Sequence, residues 1–233
     1  MFEAAVRKAD PHRRHVSRLG FAACMAAAIL ALAWAVLAIA FPAAPWQGVE
    51  AYAGTFSTLQ VVNTVPALLL TPTLILVAAA LHQATPRERQ VYTLAGLGLT
   101  AAYAAVIAGN SFLQLHTVRL NLLAGDLEGL ALLSLPDFHS AFFALEAAGY
   151  GFQSLAALTW IAAFTGRARR AVWIRWLLGL TGALGVWGLV IAPFDVPMLV
   201  LAGAGLWALI FPAAMALIAL EFRAGGPGQG GGG

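Results

Sequence analysis

The chain of 233 residues is 61% hydrophobic and 10% charged, against roughly 45–50% and about 25% in ordinary soluble domains, which excludes a water-soluble globule. Its 24 glycines follow no Gly-X-Y period, so a collagen-like chain is excluded as well. The net charge of +3 does not point to nucleic acid, because the basic residues stand in short stretches between apolar runs, the pattern of membrane topology.

In chain order, residues 1–18 form a basic segment containing Arg7, Lys8, Arg13, Arg14 and Arg18. Six apolar runs follow, near residues 19–41, 56–81, 91–114, 139–165, 173–192 and 196–220. Each supplies the roughly 20 residues that cross an apolar core about 30 Å thick. No period-two alternation suggests a barrel, so the expectation is an all-α, polytopic transmembrane helical bundle occupying 19–222. Ala38-Ile39-Ala40 is similar to a cleavage site, but the 23 residues of the first run exceed the about 7–15 of a signal core, and the run is read as a retained span. Its only cysteine, Cys24, permits no intrachain disulfide and no paired-cysteine metal site. Residues 223–233 read as a flexible Gly-rich tail.

The basic residues set an orientation. Arg87 and Arg89 follow the second run, Arg167, Arg169, Arg170 and Arg175 follow the fourth, and Arg223 follows the sixth. With the leader, these are twelve of the thirteen Lys and Arg; only Arg119 lies in an alternate segment. The bias places both termini in the cytoplasm. Residues 115–138 are Leu-rich yet contain Arg119, Asp126 and Glu128, each costing about 2.5–3.5 kcal/mol at a helix centre, so they read as an outer cap rather than a seventh span. Leu120, Leu123, Leu127 and Leu130 recur at helical spacing in it, with Pro136 expected to end the cap helix.

Polar residues gather on three spans. Gln60, Asn63 and Thr64 open the second, Asn110, Ser111 and Gln114 close the third, and His139, Glu146, Tyr150 and Gln153 run down the fourth. His139, Glu146 and Gln153 are seven apart, so they form one stripe on a helix face, and Asn110 and Gln114 stand at i and i+4. Such side chains avoid lipid. The simplest arrangement is a polar pocket, open to the outside and walled by spans two, three and four. Glu146, the only acid well inside a span, is its key group: a proton carrier, a neutral hydrogen-bond donor, or interhelical glue bonded to Asn or Gln.

His116 and His139 are the candidates for metal or haem, but no close ligand spacing joins them, and no cofactor is expected. There is no G-x-S-x-G elbow and no phosphate-binding loop. The sole lysine, Lys8, lies outside every span, which removes a retinal-type Schiff base. The fifth span carries Gly179, Gly182, Gly185 and Gly188, a small-residue series suited to close helix packing or self-association. Pro72 removes the donor that would bond near Leu68, with Thr64 and Thr71 placed to compensate, and Pro212 is expected to bend the last span.

The run from Trp207 through Pro212 to Glu221-Phe222-Arg223, with the Asn110 to Asn121 stretch, resembles small multi-span bacterial membrane proteins grouped only as domains of unknown function. That resemblance concerns the span layout and implies no activity or residue role. The expected location is the inner (cytoplasmic) membrane. The expected function is non-enzymatic: binding, sensing or passing a small amphipathic or protonatable ligand. The alternative is an accessory or assembly subunit meeting a membrane protein partner, or a homo-oligomer, through the fifth span. No nucleic-acid partner is expected.

Overall fold

The computed structural model describes residues 11–42, 45–194 and 196–227. Arg7, Lys8 and tail residues 228–233 lie outside the described residues. Among the described residues there is no strand. The helices are α1 (Pro11–Ala40), α2 (Val49–Thr55), α3 (Thr64–Ala84), α4 (Gln90–Leu113), α5 (Arg119–Ala124), α6 (Leu130–Leu133), α7 (Ala141–Trp160), α8 (Arg169–Ile191) and α9 (Pro197–Arg223).

Five segments are long and apolar enough to cross a membrane: Pro11–Ala40, Thr58–Ala84, Arg87–Ala124, Arg169–Phe194 and Met198–Arg223. The chain is therefore a multi-pass membrane protein. The sequence leads one to expect six such segments. The remaining long helix, α7, has 20 residues, but Glu146 and Gln153 leave it less apolar than the other five.

The six long helices form a ring in chain order. Each packs against the next, and α1 closes the circle against α9. Links of five to eight residues enforce this packing between α3 and α4, α7 and α8, and α8 and α9. Leu70, Leu74, Tyr103, Ile107, Trp160, Phe211 and Met215 fill the interior. A face of small residues on α1, with Ala23, Cys24, Ala27 and Ala31, lets its neighbours approach closely. Apolar side chains such as Ile39, Leu69, Val91 and Leu209 point away from the ring, as a lipid-facing surface requires.

Pro72 lies inside α3 and frees the carbonyl of Leu68; Thr71 Oγ1 donates to that carbonyl at 2.8 Å. The helix thus crosses its proline with the orphaned acceptor satisfied. At the end rich in arginine, Arg175 donates to the carbonyls of Phe164 at 3.0 Å and Gly166 at 3.1 Å, beyond the C-terminus of α7. Its charge also complements the negative end of that helix dipole.

The opposite end carries a cap that differs from the expected separate helix. α4 runs on through a π-helical turn, Gln114–Val118, into α5. Gly125, at φ 74°, ends α5 well before Pro136, and the amide of Asp126 returns to the carbonyl of Asn121 at 3.0 Å. That is a Schellman ending, which needs the left-handed conformation glycine adopts freely. The small cap core consists of Tyr52, Val118, Leu122 and Leu130, with Trp46 on Tyr52 at 5.7 Å. Leu120 and Leu123 of the expected apolar series are instead exposed. The extra residue of the π-helical turn shifts which face of the extension meets the cap, and the contribution of α2 comes from the loop after the first span.

Candidate functional site

Ser140 starts α7 by accepting from the Phe143 amide at 3.0 Å, an N-cap that sets the phase of everything below it. Glu146 stands five residues inside the helix, about 8 Å along its axis. It is half-buried. On one side, Asn110 of α4 donates through Nδ2 to Glu146 Oε2 and, at 3.3 Å, to the carbonyl of Phe142. One amide group thereby ties the ends of two helices together.

On its other side Glu146 borders a cleft of about 170 Å³ between α1, α7, α8 and α9. Its walls include Trp34, Tyr150, Ser154, Gly185, Gly188, Leu201, Ala204 and Trp207. A second recess of about 390 Å³ adjoins it at the cap end, beside Phe138, His139 and Ser140. Phe143, Ala147, Leu189 and Val200 line both. The two recesses share one wall, with His139 lining the one at the cap end and Glu146 lining the other.

This is not the enclosure that the sequence suggests. α3 and α7 are separated in the ring by α4, and α4 and α7 pack too tightly to leave space between them: a Cβ built on Gly149 would lie 2.7 Å from Ile107. The opening is on the far side of α7, where glycine and alanine on α8 and α9 leave room.

The other candidate residues divide by what they touch. Gln60 accepts from the Ser57 amide at 3.0 Å and donates to the carbonyl of Thr55, so it shapes the turn before α3, away from Glu146. Asn63 lies half-buried at the start of α3, outside the cleft lining. Gln114 is buried and donates to the carbonyl of Leu133, fastening the cap to α4. Tyr150 lines the cleft one turn below Glu146. Gln153 is wholly buried, with neither amide atom hydrogen-bonded.

Of the two histidines, His116 stacks on Phe112 at 5.7 Å, and His139 lies 3.6 Å from Asp137 with its side chain 76% exposed. Among the described residues, no three His, Cys, Asp or Glu side chains gather as a metal-binding set. In the glycine series of α8, a Cβ on Gly182 or Gly185 would collide with Leu158 or Ser154 of α7. Gly179 and Gly188 have open space beside them. Half of the series is thus used within the chain, where it brings α8 close to α7.

Sequence reasoning singled out Tyr150 but missed the aromatic residues that join it, Trp34 and Trp207. Trp207 meets Tyr150 edge-on at 5.2 Å and Trp34 at 6.4 Å, and Tyr103 meets Tyr150 at 5.8 Å. Three of these rings, on α1, α7 and α9, surround the cleft. Tryptophans read as ordinary span residues one helix at a time; besides Tyr150, four after Glu146, only Tyr103, seven before Asn110, had a spacing that carried a signal. The Tyr103 hydroxyl, Ser154 Oγ and Trp207 Nε1 are buried without a hydrogen-bond partner, as is Asn110 Oδ1. Polar atoms left unpaired at membrane depth are expensive, so their concentration beside Glu146 marks this as the chemically distinctive region of the bundle. Comparison of the chain with protein-family models, curated proteins and solved structures finds no match.

Proposed function

We propose that this chain is a six-span protein of the inner (cytoplasmic) membrane that takes a small amphipathic or protonatable ligand from the outer side into the cleft beside Glu146. The carrying observation is the two-sided setting of that carboxylate, held from behind by Asn110 and bordering the cleft in front. A group serving purely as glue between helices would have no reason to border an opening. The His139 recess, which adjoins the cleft at the cap end, supports entry from that side.

Parity supports α7 as the sixth span. α4 and its extension end at the cap, whereas α8 begins beside Arg175 at the arginine-rich end, so the helix between them must connect the two. Of the eleven Lys and Arg among the described residues, ten belong to the segments at the arginine-rich end, which supports a cytoplasmic assignment for that face and for both termini.

Native mass spectrometry of the protein released from its own membrane tests the binding reading. The wild-type protein is expected to carry a small molecule that Glu146→Gln loses at least tenfold, with the variant still folded. Equal recovery from both proteins, or an empty cleft with a stoichiometric protein partner, would overturn it in favour of an assembly role.

A further inference from the structure

The lining of the cleft specifies more than a small ligand. Among the described residues, Glu146 is the only acidic or basic one in its lining. Trp34, Tyr150 and Trp207 line the same cleft, brought from three helices, with ring centroids 5.2 Å apart for Tyr150 and Trp207 and 6.4 Å for Trp34 and Trp207. The rest of the wall is apolar or small, with Gly185, Gly188 and Ala204 leaving the space. A carboxyl group that ionises beside several aromatic rings is the arrangement that receives alkylated ammonium ions: the ring quadrupoles attract the diffuse charge, and the alkyl groups gain apolar contact. A neutral ligand would use the rings and leave the carboxylate facing an apolar body; an anion would meet Glu146 at close range.

We propose that the cleft binds an organic ammonium cation carrying alkyl groups on nitrogen, its charge facing Glu146 and its alkyl groups lying against Trp34, Tyr150 and Trp207. This rests on the binding reading above and narrows it to one chemical class. The volume of about 170 Å³ lies below the roughly 300–1,000 Å³ of sites for drug-sized molecules, so the bound portion is a compact head. That head belongs either to a free cation or to a lipid bearing a trimethylammonium group.

Choline and its uncharged isostere 3,3-dimethylbutan-1-ol test the proposal, because carbon replaces nitrogen and only the charge changes. Binding is measured by calorimetry on the full chain in nanodiscs of phosphatidylglycerol, with nanodiscs of phosphatidylcholine as a second arm. Choline is expected to bind the wild-type protein at least tenfold more tightly than the isostere, and Glu146→Gln is expected to bring the two within about twofold. Trp34→Leu should weaken choline severalfold and Trp34→Phe should restore most of it, since a ring face is what the site needs. A thermal melt of each variant separates lost binding from lost folding. Competition by phosphatidylcholine would identify the lipid headgroup as a source of the cation; undiminished choline binding there would favour a free one.

Equal affinity for both probes, failure of both to bind the folded wild-type protein, or a preference for choline unchanged in folded Glu146→Gln would overturn the proposal. A neutral molecule recovered from the wild-type protein and lost in Glu146→Gln would overturn it too, while leaving the binding function itself standing. Recovery of no molecule at all, with neither probe bound, would take both down.

Discussion

Asn110 and Glu146 are the pair on which the site turns. The Asn110 amide reaches both the Glu146 carboxylate and the carbonyl of Phe142, so it positions the acid and also fastens α4 to α7. Interhelical polar contacts within membranes are worth about 0.6–2 kcal/mol. Asn110→Ala is expected to destabilise the folded protein by that order, read as an earlier midpoint of denaturation by dodecyl sulfate in mixed micelles. It should also loosen ligand binding, because Glu146 loses its fixed orientation. An unchanged midpoint would show that the contact adds nothing net. Glu146 could be singled out from the sequence because it is the only acid within the six apolar runs. Its partner could be narrowed only to the polar residues of the second, third and fourth apolar runs, since side chains on separate helices have no fixed relation in one dimension. Gln114 illustrates this: it shares a helical face with Asn110, yet the cap claims it through the carbonyl of Leu133.

Individual helices show the same division between what is local and what is not. That Thr71 would cover for Pro72 was legible, because a carbonyl four residues before a proline and a hydroxyl three residues after that carbonyl lie within one turn. The destination of the glycine series on α8 was not. Gly185 meets Ser154 and lines the cleft, whereas Gly179 meets nothing within 4 Å. Gly185→Ala should therefore crowd α7, with overpacking costs of about 1–3 kcal/mol, and narrow the cleft. Gly179→Ala should leave stability unchanged or raise it by up to about 1 kcal/mol through helix propensity. Thermal melts of both variants in detergent provide the check; similar losses at both sites would mean that Gly179 has a neighbour outside the chain.

At the scale of the whole molecule, the ring in chain order places α1 and α9 side by side and leaves the cleft where α7, α8 and α9 meet α1. Apart from Arg119 in the cap, the described arginines collect at one end of that ring, where Arg170 also lies 3.6 Å from Glu221. With this end in the cytoplasm, a reporter fused after Arg223 is expected to be active only as a cytoplasmic enzyme. A single cysteine introduced at Asp126 in the cap should react with an impermeant thiol reagent added outside. Cys24 is wholly buried and should contribute little background. Labelling of the cap only after the membrane is broken would reverse the orientation and move the cleft to the inner side.

The membrane character, the helical class, the approximate position of each apolar run and the prominence of Glu146 followed from the sequence by itself. Each depends on composition or on spacing within one helix, and a bilayer strongly restricts what an apolar chain can do with its backbone. The tertiary structure decided which faces of the helices meet. It put Asn110 behind Glu146, turned Gln60 to a local turn and Gln114 to the cap, and assembled Trp34, Tyr150 and Trp207 around the opening. Those outcomes depend on the rotation of each helix about its axis and on close approaches at small residues such as Gly149 and Gly185. Both are set jointly by several helices packing at once, so no single stretch of sequence contains them.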